Sequence, residues 1–147
     1  MNSFGSWWDK TITIYNKYTD PQTRVVRWYR YVLHKTFWKA ANNKITIGKV
    51  QLETDDIFCR IPINVNYLPK HMWINIPNDQ MGNYFTLGVG DIIVLDEVDD
   101  TIDEYASGQR STDLVKKYKE LQGCFVIKSW SDNTGHRGNE HYFASGS

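Results

Sequence analysis

Apolar residues recur at helical spacing in only one stretch of this chain, Leu114, Val115, Tyr118 and Leu121. Elsewhere they alternate with polar residues or gather in short runs between turn formers, which limits the fold to many short strands and one helix. Lys10 to Tyr18 alternates cleanly, with Ile12 and Ile14 on one side and Thr11, Thr13 and Tyr15 on the other, the mark of a half-buried strand. Asp20-Pro21-Gln22-Thr23 then turns, and Arg24 to Val32 is read as the returning strand because Val, Trp and Tyr dominate it. Thr36 to Ala40 forms a third strand, Ala41-Asn42-Asn43-Lys44 turns, and Ile45 to Leu52 makes a short hairpin around Gly48-Lys49. Asp56 to Pro62 is a strand that its proline stops. Gly88 and Gly90 bend the chain before the core strand Ile92 to Leu95. The helix covers about residues 112–122, capped by Ser111 or Thr112, with Asp113 at its positive end and Gly123 at its close. Cys124 to Trp130 and His141 to Ala144 are the last strands. The expected fold is mainly β: a small barrel of short antiparallel strands with one α-helix and a long irregular loop over about 64–83.

A chain of 147 residues suits one domain, 1–147, with a core of its own. At 41% hydrophobic and 23% charged residues it has the composition of an ordered domain. Six Trp, nine Tyr and six Phe serve strands, and in part they suit a contact surface. Net charge is zero but unevenly divided. Residues 1–50 hold nine Lys and Arg against two Asp and Glu, and residues 51–147 hold eight against fifteen. If the halves form opposite faces, copies attract one another head to tail, which closes into a ring when the rotation allows. If the halves interleave, the asymmetry averages out.

Signatures of catalysis are missing from the sequence. No glycine is followed by the Lys-Ser/Thr of a phosphate loop, Gly88-Val89-Gly90 lacks the third glycine of a dinucleotide fingerprint, and neither His-Glu-x-x-His nor Gly-x-Ser-x-Gly occurs. His136, Glu140 and His141 are ligand types for zinc without a helix to align them. The acidic run Asp96 to Glu104 lacks the glycine and spacing of a calcium loop and is read as a solvated or partner-facing edge. No enzyme activity, cofactor or metal is therefore expected. Cys59 and Cys124 form no Cys-x-x-Cys pair and are read as buried reduced thiols. The N-terminus has no signal-peptide pattern and no apolar run spans a membrane, so the chain is expected to be made in a reducing cytoplasm. Arg24, Arg27 and Arg30 interleave with Trp28, Tyr29 and Tyr31, a pattern that also suits a barrel binding single-stranded nucleic acid.

Phe85-Thr86-Leu87-Gly88-Val89-Gly90-Asp91-Ile92-Ile93-Val94, the helix Asp113 to Tyr118, Asp132-Asn133, and His141-Tyr142 ending at Gly146 resemble, in this order, the small minor capsid and head-closure (stopper, head–tail joining) proteins of tailed phages. Thr11-Ile12-Thr13-Ile14-Tyr15-Asn16-Lys17 resembles their first strand. The resemblance implies a structural virion protein of the neck that closes the head after packaging. It would form a ring of copies, twelvefold in that family, with portal and adaptor proteins on one side, tail proteins on the other and packaged double-stranded DNA through the ring's centre. A tail-completion or terminator role is the neighbouring alternative. Interaction candidates are Trp7, Trp8, Arg24, Arg27, Arg30, Tyr67, Met72, Trp73, Asp96, Glu97, Asp99 and Asp100. The 64–83 loop is expected to project as a gate into the ring's channel.

Overall fold

The computed structural model describes residues 8–47, 50–105, 109–135 and 140–147, with backbone alone for 41–47 and 50–56. Strands β1 (Lys10–Thr19), β2 (Val26–Ile47), β3 (Val50–Pro62), β4 (Ile92–Leu95), β5 (Cys124–Asp132) and β6 (His141–Gly146) close into a barrel ordered β1-β2-β3-β6-β5-β4. Every pairing is antiparallel, and β4 closes the barrel against β1.

Two strands turn the corners. β2 pairs with β1 as far as Thr36 and with β3 from Phe37 onward. Between Lys10↔Thr36 and Ile12↔Leu33 it carries one extra residue, and Lys35 sits there at φ 56°. Such a bulge bends a strand and increases its twist. β5 turns in the same way, pairing with β4 through Val126 and with β6 after it, with Lys128 as the extra residue between Ile127↔Gly146 and Ser129↔Ser145. At that corner β5 and β6 lie so close that a Cβ on Gly146 would fall on the Val126 carbonyl.

The interior is filled by Ile12, Ile14, Leu33, Cys59, Ile61, Phe85, Leu87, Ile93, Phe125 and Ile127. β1 differs from the half-buried strand its alternation suggests, because Thr13, Tyr15 and Asn16 are buried too. A second apolar cluster covers its outer face, where Tyr15, Ile92 and Val94 meet Val98 and, from α2 (Ser111–Leu121), Leu114 and Tyr118. α2 starts one residue before its expected bound. Ser111 is its first residue rather than its cap, because carboxylates take the free amides. Asp113 accepts from the Arg110 N–H at 3.3 Å and Glu104 from the Ser111 N–H at 2.6 Å. Gly123 closes the helix at φ 142°, where a Cβ would press on Trp38 at 3.2 Å.

A turn at Ala41–Lys44 does not form. β2 runs straight through these residues, each paired with β3 from Ala41↔Asp56 to Lys44↔Glu53. The turn preference of Asn42 and Asn43 gives way to a continuous ladder. β3 accordingly begins at Val50, well before Asp56, and ends at Pro62 as its proline requires. The Gly48-Lys49 turn lies outside the described residues, flanked by the pair Ile47↔Val50.

Strands β1, β3 and β5 end, and β2, β4 and β6 begin, at one mouth of the barrel. Residues 64–83 run from β3 towards β4 across that mouth, with Tyr67, Trp73 and Met81 packed into it. Tyr67 stacks on Tyr142 at 4.1 Å, and Trp73, in the one-turn helix α1 (Lys70–Trp73), packs edge-on against Tyr29 at 5.7 Å and Tyr18 at 6.2 Å. Trp73 and Met81 are fully buried. Among the described residues no helix is long and apolar enough to cross a membrane.

Candidate assembly interface

At the opposite mouth β2 and β3 outrun the barrel. The last pair with β1 is at Thr36 and the last with β6 is at Ile57. From Ala41↔Asp56 to Ile47↔Val50 the two strands pair only with each other among the described residues. This is a two-stranded arm of roughly 20 Å at about 3.3 Å per residue.

On β3 Ile57, Cys59 and Ile61 belong to the barrel core, and Trp38 of β2 packs on it. Beyond the barrel the backbone ladder continues through Lys44↔Glu53, Ile45↔Leu52, Thr46↔Gln51 and Ile47↔Val50, so Ile45, Leu52, Ile47 and Val50 occupy one set of alternate positions of the ribbon and Lys44, Glu53, Thr46 and Gln51 the other.

A groove of about 440 Å³ lies on the other side of the molecule, between α2 and the outer wall. Trp28, Ile92, Val115 and Val126 form its apolar floor, Ile92 and Val126 being a β4–β5 pair. Lys17, Lys116 and Lys119 rim it, Ser111, Thr112 and Gly90 complete it, and among the described residues no acidic side chain lines it. Lys70 and Lys117, by contrast, are held by Asp91 at 3.7 Å and Asp100 at 2.8 Å. The indole N–H of Trp28 is buried without a hydrogen-bond acceptor among the described residues.

The acidic run is strapped to β1 by its backbone, while the side chains of Asp96, Glu97, Asp99 and Asp103 stay exposed, as a solvated edge requires. The Thr13 hydroxyl donates to the Asp96 carbonyl at 2.8 Å and accepts from the Val98 N–H at 3.0 Å. The Tyr15 hydroxyl donates to the Asp100 carbonyl at 2.7 Å. Arg30 donates to the Val98 carbonyl and pairs with Asp99 at 3.2 Å. Lys117 and Tyr118 both donate to the Asp100 carboxylate. Asp96, at φ 83°, and Glu97 stay exposed. Basic and acidic halves of the sequence thus interleave at Arg30–Asp99, and part of the charge split cancels inside the fold.

The remaining sequence candidates divide by burial. Trp8 is buried against Phe37 and His141, each at 6.1 Å. Tyr67 and Trp73 belong to the packed mouth, so their contacts are intramolecular. Arg24, on the β1–β2 turn at φ 63°, is exposed, as are Arg27 and Met72. Trp7 lies outside the described residues, as does His136. Of the aromatics interleaved with the arginines, Tyr29 packs on Trp73 and Tyr31 on Phe85, so neither is a free stacking platform. Among the described residues no three His, Cys, Asp or Glu side chains come together to hold a metal ion. Burial raises the thiol pKa of Cys59, and that of Cys124 to about 12, as expected for inert core cysteines.

The short hairpin expected over Ile45 to Leu52 pairs at Ile45↔Leu52 and Ile47↔Val50, but the arm's full length was not legible because 41–44 reads as a turn. The groove had no signal, since Lys116 and Lys119 read as an ordinary wet helix face.

Neither the curated proteins nor the solved structures contain a match to the chain. One family model matches across residues 7–147, and the chain belongs to that family, DUF6751, a family of unknown function.

Proposed function

We propose that this chain is a structural virion protein: a ring-forming component of the neck of a tailed phage, which closes the head after DNA packaging and joins it to the tail. The carrying observation is the hairpin arm, in which residues 41–47 pair with residues 50–56 and with no other strand among the described residues. A two-stranded ribbon is marginal in water by itself. Such an arm is suited to gripping another subunit. The resemblance of residues 85–94, 113–118 and 141–146 to head-closure proteins supplies the setting, with portal or adaptor proteins on one side and tail proteins on the other. DNA would run through the centre of the ring, because side chains fill the barrel itself. Residues 64–83 are anchored by Trp73 and Met81, and their exposed positions, Val65, Met72, Ile74 and 77–80 among them, are available to line that channel.

Cryo-electron microscopy of particles carrying the chain tests this reading. The expected result is a ring of copies between portal and tail. Copies at the tail tip, or absence from particles, would overturn it, and so would turnover of a small molecule by the purified chain.

A further inference from the structure

We infer that the groove between α2 and the outer wall is a docking site for an extended acidic peptide segment of a partner protein, one whose apolar side chains alternate with carboxylates. The inference concerns what the groove recognises and holds whether or not the chain sits in a phage neck.

Three observations carry it. The first is an uncovered side of the outer apolar cluster. Trp28, Val115 and Val126 pack against the cluster of Tyr15, Ile92, Val94 and Leu114 but keep part of their own surface open, and they line the groove. A groove of about 440 Å³ with an apolar floor has the size of a recognition site.

Shape is the second. The groove crosses four neighbouring strands, with Trp28 on β2, Lys17 on β1, Ile92 on β4 and Val126 on β5, in the barrel order β2-β1-β4-β5. Three spacings of about 4.8 Å give it a reach of roughly 14 Å. Ser111, Thr112, Val115, Lys116 and Lys119 share one face of α2 and wall it over two turns, roughly 12 Å. Either dimension is matched by about four residues of extended chain, and every second side chain of such a chain meets the floor. A compact small molecule would leave much of the trench open.

Charge is the third. Lys17, Lys116 and Lys119 surround the apolar floor, and none of them forms an ion pair among the described residues, unlike Lys70 with Asp91 and Lys117 with Asp100. Glu104 and Asp113, beside the start of α2, are engaged by the Ser111 and Arg110 amides and are not among the described residues that line the groove. Three unbalanced ammonium groups around a strip of hydrocarbon call for a partner that is apolar along its middle and anionic at its edges. The floor has one aromatic residue, Trp28, with the Lys17 ammonium 6.0 Å from the centre of its ring, so it offers no row of stacking faces for nucleic-acid bases.

Nuclear magnetic resonance titration of the isotope-labelled chain tests the site, with the synthetic peptide Ac-Asp-Leu-Glu-Phe-Glu-Leu-Asp-NH2 as probe. Saturable shifts should appear at the amides of Gly90, Thr112, Val115 and Val126. Lys116→Glu with Lys119→Glu should weaken binding at least tenfold, and a probe with lysine at each acidic position should prefer that variant over wild type. A probe with serine in place of leucine and phenylalanine should bind at least tenfold more weakly than the original. Circular dichroism of the variant confirms that the barrel is folded. No saturable shift up to about 1 mM probe, or affinity indifferent to the charge reversal, would overturn the site. Equal affinity for the serine probe would reduce it to an unspecific basic patch. Displacement of the probe by decanoate or by a short oligothymidylate at equal concentration would assign the groove to a small amphiphile or to single-stranded nucleic acid. Each of these results overturns the inference. The purified chain alone is titrated, so the outcome is independent of where the chain sits in a particle, and the ring reading stands or falls separately.

Discussion

Asp91 is a carboxylate almost wholly withdrawn from water, and its oxygens serve three groups. It accepts from the Asn16 amide at 2.9 Å and the Lys17 N–H at 3.0 Å, and the Lys70 ammonium stands 3.7 Å away. Burial raises its pKa; Lys70 and the hydrogen bonds oppose the rise without cancelling it. Asp91→Ala leaves one hydrogen of the Asn16 amide, whose other bond goes to the Thr86 carbonyl, and the Lys17 N–H without this acceptor, and we expect a loss of about 2–4 kcal/mol in urea unfolding at neutral pH. A raised folded pKa means that folding favours the protonated form. The titration contribution of Asp91 is therefore fully present below the unfolded carboxylate pKa and lost as pH rises through the folded one, so the gap between wild type and variant should widen in acid. Asp100 behaves oppositely. Burial pushes its pKa up, but hydrogen bonds from Lys117 and Tyr118 outweigh this and hold it below the ordinary carboxylate value. Its contribution is present above the unfolded pKa and lost as pH falls through the folded one. Asp100→Asn should cost about 1–2 kcal/mol at neutral pH, an effect that shrinks as a pH series of unfolding curves falls below about pH 4. Residue roles like these were not legible in the sequence. Asp100 is one of six acids between Asp96 and Glu104, and only the strap's path over β1 distinguishes it.

At the scale of elements, the strength of the local pattern decided what could be read. β1 and α2 follow from alternation and from a helical stripe. The 41–44 stretch reads as a turn because a local signal cannot show that β3 offers a partner along its whole length. Elements also differ in what they contribute to the barrel. Trp73 anchors the 64–83 segment with no exposed surface, so Trp73→Ala should cost about 3–5 kcal/mol and raise amide hydrogen exchange in that segment above the rest. The arm is the contrary case. Its ladder beyond Ala41↔Asp56 touches no other strand among the described residues. Replacing residues 42–55 by a two-residue turn should leave the thermal midpoint within a few degrees of wild type by circular dichroism, because only pairs internal to the arm are lost. A large drop in that midpoint would mean that the arm folds back on its own barrel.

As a whole molecule the chain is one closed sheet around one core, and that core holds Cys59 while Cys124 lies under α2. Neither thiol should react with an aromatic disulfide reagent in the native protein. Both should become reactive together in denaturant, over the range in which the circular dichroism signal is lost, since exposing either requires opening the barrel. The sequence by itself determined the class of fold, because period-two alternation and a single amphipathic stripe are properties of neighbouring residues and survive without knowledge of the rest. It also determined the thiols' burial and the stop at Pro62. Tertiary structure alone decided where the barrel closes, which acids hold the strap and which lysines pair with Asp91 and Asp100. Each of these depends on pairs far apart in the chain, such as Arg30 with Asp99 and Ile92 with Val126. The arm's length was decided in the same way, because Ala41 to Lys44 extend only where β3 offers them a partner.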